Sequence, residues 1–279
     1  MGAPPPFAWL GGEIHLEVFV GVVLLAALYT RAVVAATPPP PIAQPVAFFG
    51  ACVALLLALN GPLHDLSDYY LASAHMVQHL VLTLVAPPLW LAGTPGVVLD
   101  RLLGPLLRFR VLAATARAVT RPLLALSLYA VALVGWHLPG PYNAALEHHA
   151  WHIAEHVTLL VTGVLAWWPI LAPSRRLPAL PYAAQLLYLF VFGIPMTVVA
   201  AFLTAAEHPL YPWYAAAPRL FGLTPLADQQ LAGIIMWVPA GVIPLVAFTV
   251  VFFRWAALDM ADEARRGIAA PFGPPRARH

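Results

Sequence analysis

Residues Glu147–His156 read EHHAWHIAEH and continue without a break into the apolar run Val157–Leu165. Four imidazoles and two carboxylates therefore stand at the start of a segment whose composition predicts a membrane-spanning helix. On a helix, His148, His152 and His156 fall four residues apart and share one face. Because ionisable groups are costly to place at a membrane helix, this stretch predicts a functional site as well as a span.

The whole chain has the composition of a polytopic membrane protein. Of its 279 residues, 61% are hydrophobic and only 9% are charged, and apolar runs recur along the entire length. The runs do not alternate with polar residues, which argues against a membrane β-barrel. The single cysteine, Cys52, excludes an internal disulfide and a cysteine-based metal cluster. We expect an all-α membrane bundle in a lipid bilayer, with no nucleic-acid partner and no cleaved signal peptide.

Seven apolar segments are candidate membrane spans. They are Ile14–Ala36, Val46–Leu59, Tyr70–Leu91, Leu123–Leu138, His149–Leu171, Tyr182–Thr204 and Gln230–Phe253. The second and fourth are short for a hydrocarbon core about 30 Å thick, so we expect them to extend into their flanks. Interior prolines should kink three of the helices, at Pro87, Pro88, Pro195, Pro239 and Pro244. The prediction is one seven-helix transmembrane domain over residues 1–258, followed by a short cytoplasmic Arg/Pro-rich tail over residues 259–279.

The placement of arginines predicts the orientation. All 14 basic residues are arginines, and on a seven-span topology only Arg219 lies on the opposite side from the rest. Because positively charged residues concentrate in cytoplasmic loops, the arginine-rich side is expected to be the cytoplasm. The N-terminus is then outside and the C-terminus is cytoplasmic.

The histidines show the opposite bias. On this topology all ten histidines before His279 fall in the outer half of the protein. Two helices each carry a pair four residues apart, His75 with His79 and His152 with His156. Such a pair directs both imidazoles into one space, which is half of a typical metal site. The sequence leaves open the roles of five further histidines, namely His15, His64, His148, His149 and His208.

Three methionines lie near these histidines. Met76 follows His75 in the sequence, and Met196 and Met236 lie at about the estimated membrane depth of His79 and His156. Imidazole with thioether suits Cu(I), whereas imidazole alone suits zinc, copper or iron. The candidate metal ligands are His75, His79, His152, His156, Met76, Met196 and Met236. Three accessory groups are expected to fix the histidine tautomers, namely Gln78, Glu155 and Asp228.

Several motifs resemble those of the CtaG-type cytochrome c oxidase assembly proteins. In order, they are AHMVQH at 74–79, APPLWLAGTP at 86–95, WHLP at 136–139, HIAEH at 152–156, WWP at 167–169, DQQLAG at 228–233 and IMWVP at 235–239. The resemblance implies a bacterial plasma-membrane protein that matures a haem–copper oxidase of the caa type, delivering copper to an oxidase subunit without catalytic turnover. It also implies accessory roles for His137 and Gln229, and the site is expected to face the outside.

Two other functions stay open from the residues. A haem-binding electron-transfer protein is one, because histidine pairs on facing helices can ligate haem. A copper or proton-coupled transporter is the other, although no acidic residue lies in the inner half of a predicted span.

Overall fold

The computed structural model of the chain describes residues 7–265, and all regular structure in that range is helical. Fourteen α-helices and one π-helical turn follow one another along this part of the chain. Their bounds are α1 Leu16–Val34, α2 Ala43–Ala58, α3 Gly61–Tyr69, α4 Ala72–Leu80, the π turn Val81–Val85, α5 Ala86–Gly93, α6 Gly96–Leu106, α7 Arg110–Val119, α8 Pro122–Trp136, α9 Pro139–Glu147, α10 His149–Leu171, α11 Tyr182–Phe192, α12 Ile194–Ala205, α13 Pro212–Ala216 and α14 Pro225–Arg265.

Five helical segments in residues 7–265 are long and apolar enough to cross a membrane. They are Leu16–Val34, Ala72–Gly93, His149–Leu171, Tyr182–Ala205 and Pro225–Arg265. The number rises to seven if two bent pairs each form one span, α2 with α3 at 49° and α7 with α8 at 73°. These pairs contain the two segments predicted to be short. The all-helical membrane class is confirmed with five to seven spans, whereas the orientation stays a prediction.

The third predicted span contains the π turn, which ends two residues before Pro87. A proline removes one backbone donor from a helix and so frees a carbonyl one turn earlier. The indole of Trp167 on α10 donates a 3.0 Å hydrogen bond to the freed carbonyl of Thr83. A Cβ on Gly163 of α10 would lie 3.1 to 3.2 Å from atoms of the π turn and Pro87. Glycine at this position therefore lets α10 approach the π turn closely, which sets the histidines of α4 beside those of α10.

The other predicted kinks have different outcomes. The sixth span breaks at Gly193, two residues before Pro195, as expected. In contrast, α14 continues through Pro239 and Pro244 as far as Arg265. Residues 259–265 of the predicted tail therefore belong to this helix, and the rest of the tail lies outside the described residues.

The predicted fifth span, His149–Leu171, coincides with α10, but the expectation that His148 lies on the same helical face is wrong. α9 ends at Glu147, and His148 has extended backbone angles, with φ −129° and ψ 112°. The carbonyl of His148 accepts hydrogen bonds from the amides of Trp151 and His152, so His148 caps α10 instead of lying within it. Its side chain therefore does not continue the face formed by His152 and His156.

Candidate metal centre

Four ionisable side chains from two helices converge within residues 7–265. They are His75 of α4 and His152, Glu155 and His156 of α10, and one ligand atom of each lies within 4.8 Å of all the others. His75 and Glu155 have no solvent exposure, and His152 is 5% exposed. Zinc and copper hold nitrogen and oxygen donors at about 2 Å, so the donors of one ion lie roughly 3–4 Å apart. Small side-chain adjustments would bring these four atoms around a single ion.

The partner of His75 indicates its tautomer. The hydroxyl of Tyr214 donates to the carbonyl of Ser67, and it lies 3.0 Å from Nδ1 of His75. Because the hydroxyl proton is already used, the Tyr214 oxygen accepts a hydrogen bond from the Nδ1–H of His75. The Nε2 atom of His75 then carries a lone pair, and it lies 3.6 Å from Oε2 of Glu155.

The tautomer of His79 follows from its contact with His137. Nδ1 of His137 lies 2.6 Å from the carbonyl of Leu133, so this nitrogen is the donor and Nε2 is the acceptor. Nε2 of His137 lies 3.3 Å from Nδ1 of His79, which therefore carries the proton. The remaining nitrogen of His79, Nε2, again bears a lone pair and lies 3.4 Å from Oε1 of Glu155.

A carboxylate orients the third imidazole. Oδ2 of Asp68 lies 3.4 Å from Nδ1 of His152 and 3.3 Å from Nε2 of His64. An ionised carboxylate only accepts, so with Asp68 charged both nitrogens are protonated, and Nε2 of His152 is left with its lone pair. The assignment of His64 is consistent with its other neighbour, because the amide of Gln78 lies 3.1 Å from Nδ1 and can donate to it.

The atoms that face the centre of the cluster lack hydrogen-bond partners within the described part of the chain. They are Nε2 of His75, His79, His152 and His156, and both carboxylate oxygens of Glu155. Buried polar atoms without partners cost free energy, and lone pairs facing a carboxylate repel it. A bound cation would satisfy one ligand atom of each of the four clustered residues at once. Metal-binding histidines are typically held by their other ring nitrogen on a protein acceptor, which is the arrangement inferred for His75, His79 and His152.

The predicted methionines lie around the cluster in different ways. The sulfur of Met76 lies 3.3 Å from Nε2 of His137, on the side of that ring that faces His79. Met196 and Met236 pack in the main apolar core with exposed fractions of 1% and 0%. The structure thus brings Met76 next to the imidazoles and places the other two among apolar side chains.

Three predicted accessory residues contact groups other than the candidate ligands. Asp228 accepts a 2.7 Å hydrogen bond from the amide of Ala72, the first residue of α4, so it caps that helix from another element. Gln229 accepts from the amide of Leu210 at 2.6 Å. Gln78 contacts His64. The interpretation of Asp228 as a group that fixes a histidine tautomer is therefore wrong, because it fixes the start of the helix that carries His75.

Sequence reasoning missed Asp68 and Tyr214, and it ranked Glu155 as accessory. Tyr214 belongs to α13, far along the chain from His75, and burial followed by the charge of Asp68 raises its pKa well above that of an ordinary tyrosine. Its hydroxyl therefore stays protonated. One available signal was the spacing of His64 and Asp68, four residues apart on the short helix α3.

The fold and the site define a class of protein, a multi-helix membrane protein with a buried histidine–glutamate cluster at one end. Residues 27–257 match the family of cytochrome c oxidase caa3 assembly factors, and the chain belongs to that family. The resemblance seen in the motifs is thereby confirmed.

A curated relative adds little about function. The chain is 23% identical over 244 residues to an uncharacterized protein of Mycobacterium leprae (strain TN), covering 78% of this chain and 35% of that protein. The chain thus spans about a third of the length of the relative it matches. No solved structure matches the chain.

Proposed function

We propose that this protein binds copper between α4 and α10 and passes it to a cytochrome c oxidase subunit in the same membrane. Membership of the oxidase assembly family supports the choice of client. The observation that carries the metal proposal is the set of six unpaired donor atoms around Glu155. The protein acts by binding and release and makes or breaks no covalent bond in a substrate.

The donor set refines which ligands hold the ion. Three imidazoles and one carboxylate suit Cu(II) or Zn(II), whereas Cu(I) favours softer thioether ligands. We therefore assign the ion to the four clustered residues, and His79, whose Nε2 lies 3.4 Å from Oε1 of Glu155, to the support of that carboxylate. Met196 and Met236 are assigned to packing, and Met76 to the surroundings of His137.

The compactness of the cluster favours an ion over a haem. Its four ligand atoms lie within 4.8 Å of one another, which leaves no room for a porphyrin ring between them. The predicted orientation places this end of the bundle outside the plasma membrane, so the copper would arrive from the outer side.

Metal analysis of the purified protein tests the binding. We expect the 279-residue chain in detergent to take up about one copper ion when Cu²⁺ is supplied. The variant His152→Ala/His156→Ala should take up none, since two of the four donors are gone. The matched control Met196→Leu/Met236→Leu should bind like the wild type. Unchanged stoichiometry in the histidine variant, or no copper in the wild type, would overturn the proposal.

Delivery needs a separate measurement in cells. Oxidase purified from a strain that carries only the histidine variant should contain less copper than oxidase from a strain with the wild-type chain. Equal copper contents would show that the protein assists assembly without supplying the metal.

A further inference from the structure

A cavity of about 390 Å³ lies between α1, α2 and α10 and reaches the metal centre. Most of its wall is apolar, yet every ionisable side chain on the wall is an imidazole or a carboxylate. These side chains are His15, Glu17, His64, His149, His152 and His156. Because His152 and His156 also belong to the cluster, the cavity and the metal centre share a wall.

The imidazoles of the cavity form a continuous series from the surface to the cluster. Ring centroids are 6.0 Å apart from His149 to His15, and 4.2 Å apart from His15 to His64. They are 5.7 Å apart from His64 to His152, and 4.2 Å apart from His152 to His156. Side-chain exposure falls along the series from 61% at His149 to 17% at His15 and 5% at His64. The series therefore leads from solvent to the buried site.

The rim of the cavity holds two of these imidazoles around one carboxylate. Oε1 of Glu17 lies 3.0 Å from Nδ1 of His15 and 4.0 Å from Nε2 of His149. Exposed ion pairs of this kind contribute little to stability, so stability alone does not account for the grouping. Two nitrogens and one oxygen are, however, an adequate set for brief capture of a metal ion.

The backbone holds His15 in place over His64. The amide of His15 donates to the side chain of Asn60 at 2.8 Å, and the amide of Gly61 donates to the carbonyl of Glu13 at 2.8 Å. Gly12 has φ +112°, and a Cβ there would lie 2.5 Å from the backbone of Gly61. Glycine is needed for this close approach. The segment before α1 is thus docked on the junction of α2 and α3.

We propose that this cavity is the loading route of the metal centre, an inference that rests on the proposed function. A copper ion is captured at the rim by His15, Glu17 and His149. It then passes to Nδ1 of His64, which gives up its contact with the Gln78 amide, and from there to His152 and His156. Exchange between neighbouring imidazoles keeps the ion ligated, which matters because a bare ion in an apolar cavity is strongly destabilised. The copper keeps its oxidation state throughout, and only metal–ligand bonds form and break.

Loading kinetics test the route separately from the site. The probe is Cu²⁺ mixed rapidly with the metal-free full-length protein, followed by the quenching of tryptophan fluorescence. The variant His15→Ala/His149→Ala should load at least about tenfold more slowly, with unchanged stoichiometry and affinity. The rate of copper release should fall by the same factor. The rim residues are not ligands in the final site, so the dissociation constant is unchanged and both rates must change together.

A steric variant tests the route without removing a ligand. Gly21 lines the cavity and has open space where a Cβ would lie, so Gly21→Phe should fill part of the cavity and slow loading. Gly50→Phe on α2 is the matched control, because this glycine also has open space and is absent from the cavity wall. Wild-type loading rates in both the histidine and the Gly21 variants would overturn the route alone. A wild-type protein that binds no copper would overturn both proposals.

Discussion

Glu155 and Asp100 are two carboxylates with opposite surroundings. Asp100 on α6 accepts hydrogen bonds from the Ser174 hydroxyl and the amide of Arg175. Glu155 on α10 is fully buried, and the imidazole nitrogens that face it are inferred to bear lone pairs. The two carboxylates differ in the number of hydrogen-bond donors that point at their oxygens. An acid with its donors in place ties two segments together, whereas a buried acid facing other acceptors has the surroundings expected of a cation ligand.

The largest expected effect comes from neutralising the acid that lacks donors. Glu155→Gln removes the negative charge of the cluster, so we expect copper affinity to fall at least about 100-fold. The metal-free variant should melt at a higher temperature than the metal-free wild type, because an amide can donate to an imidazole lone pair. Isothermal titration and thermal unfolding of both proteins measure the two effects. A lower melting temperature in the metal-free variant would mean that Glu155 already has its protons and is structural, like Asp100.

A smaller effect is expected from the group that orients His75. Tyr214→Phe removes the oxygen that accepts a hydrogen bond from the Nδ1–H of His75, so the ring is no longer held in one tautomer. Loss of such a partner typically weakens metal binding about 10- to 100-fold. Stoichiometry should stay at the wild-type value, since all four ligands remain. Tyr211→Phe is the control, because its hydroxyl donates to the carbonyl of His137 and not to a proposed ligand. Equal losses in the two variants would assign Tyr214 a packing role.

The class of the protein and half of the site follow from local sequence patterns. Apolar runs predict the helices, and the spacing of His152 and His156 predicts that both rings share one face, because each depends only on helix periodicity. The break at His148 depends on a second helix, α9, that ends there. Nothing in the apolar pattern reveals that helix.

The remainder of the site depends on contacts between distant segments. Tyr214 reaches His75 across 139 residues, and no local pattern encodes that approach. Depth along a helix suggested Met196 and Met236 as ligands, but depth does not fix which way a helix is turned about its axis. The packing of α12 and α14 turns both methionines into the apolar core. The sequence indicates only that Glu155 is near histidines, whereas the structure places its two oxygens beside Nε2 of His75 and Nε2 of His79.

The smallest expected effect is at Asp100, where the donors are complete. Partial burial acts to raise the pKa of Asp100, but hydrogen bonds from Ser174 and the amides of Arg175 and Arg176 outweigh it and lower the pKa. A carboxyl with a lowered pKa in the folded state adds stability above its unfolded pKa of about 3.9, and this stability is lost as the pH falls through the folded pKa.

Asp100→Asn should therefore destabilise the metal-free protein at pH 7 by less than about 1 kcal/mol, because the group is partly exposed to solvent. The difference from the wild type should shrink as the pH falls below about 4, where the wild-type carboxyl also becomes neutral. Melting temperatures measured against pH check this, with Asp262→Asn as the control, since Asp262 pairs only at the surface with Arg265 at 2.9 Å. A difference that stays constant with pH would show that the charge of Asp100 is irrelevant. Copper affinity should be unchanged in Asp100→Asn. A loss of affinity there would show that Asp100 also affects metal binding, so that it would no longer differ from Glu155 in this respect.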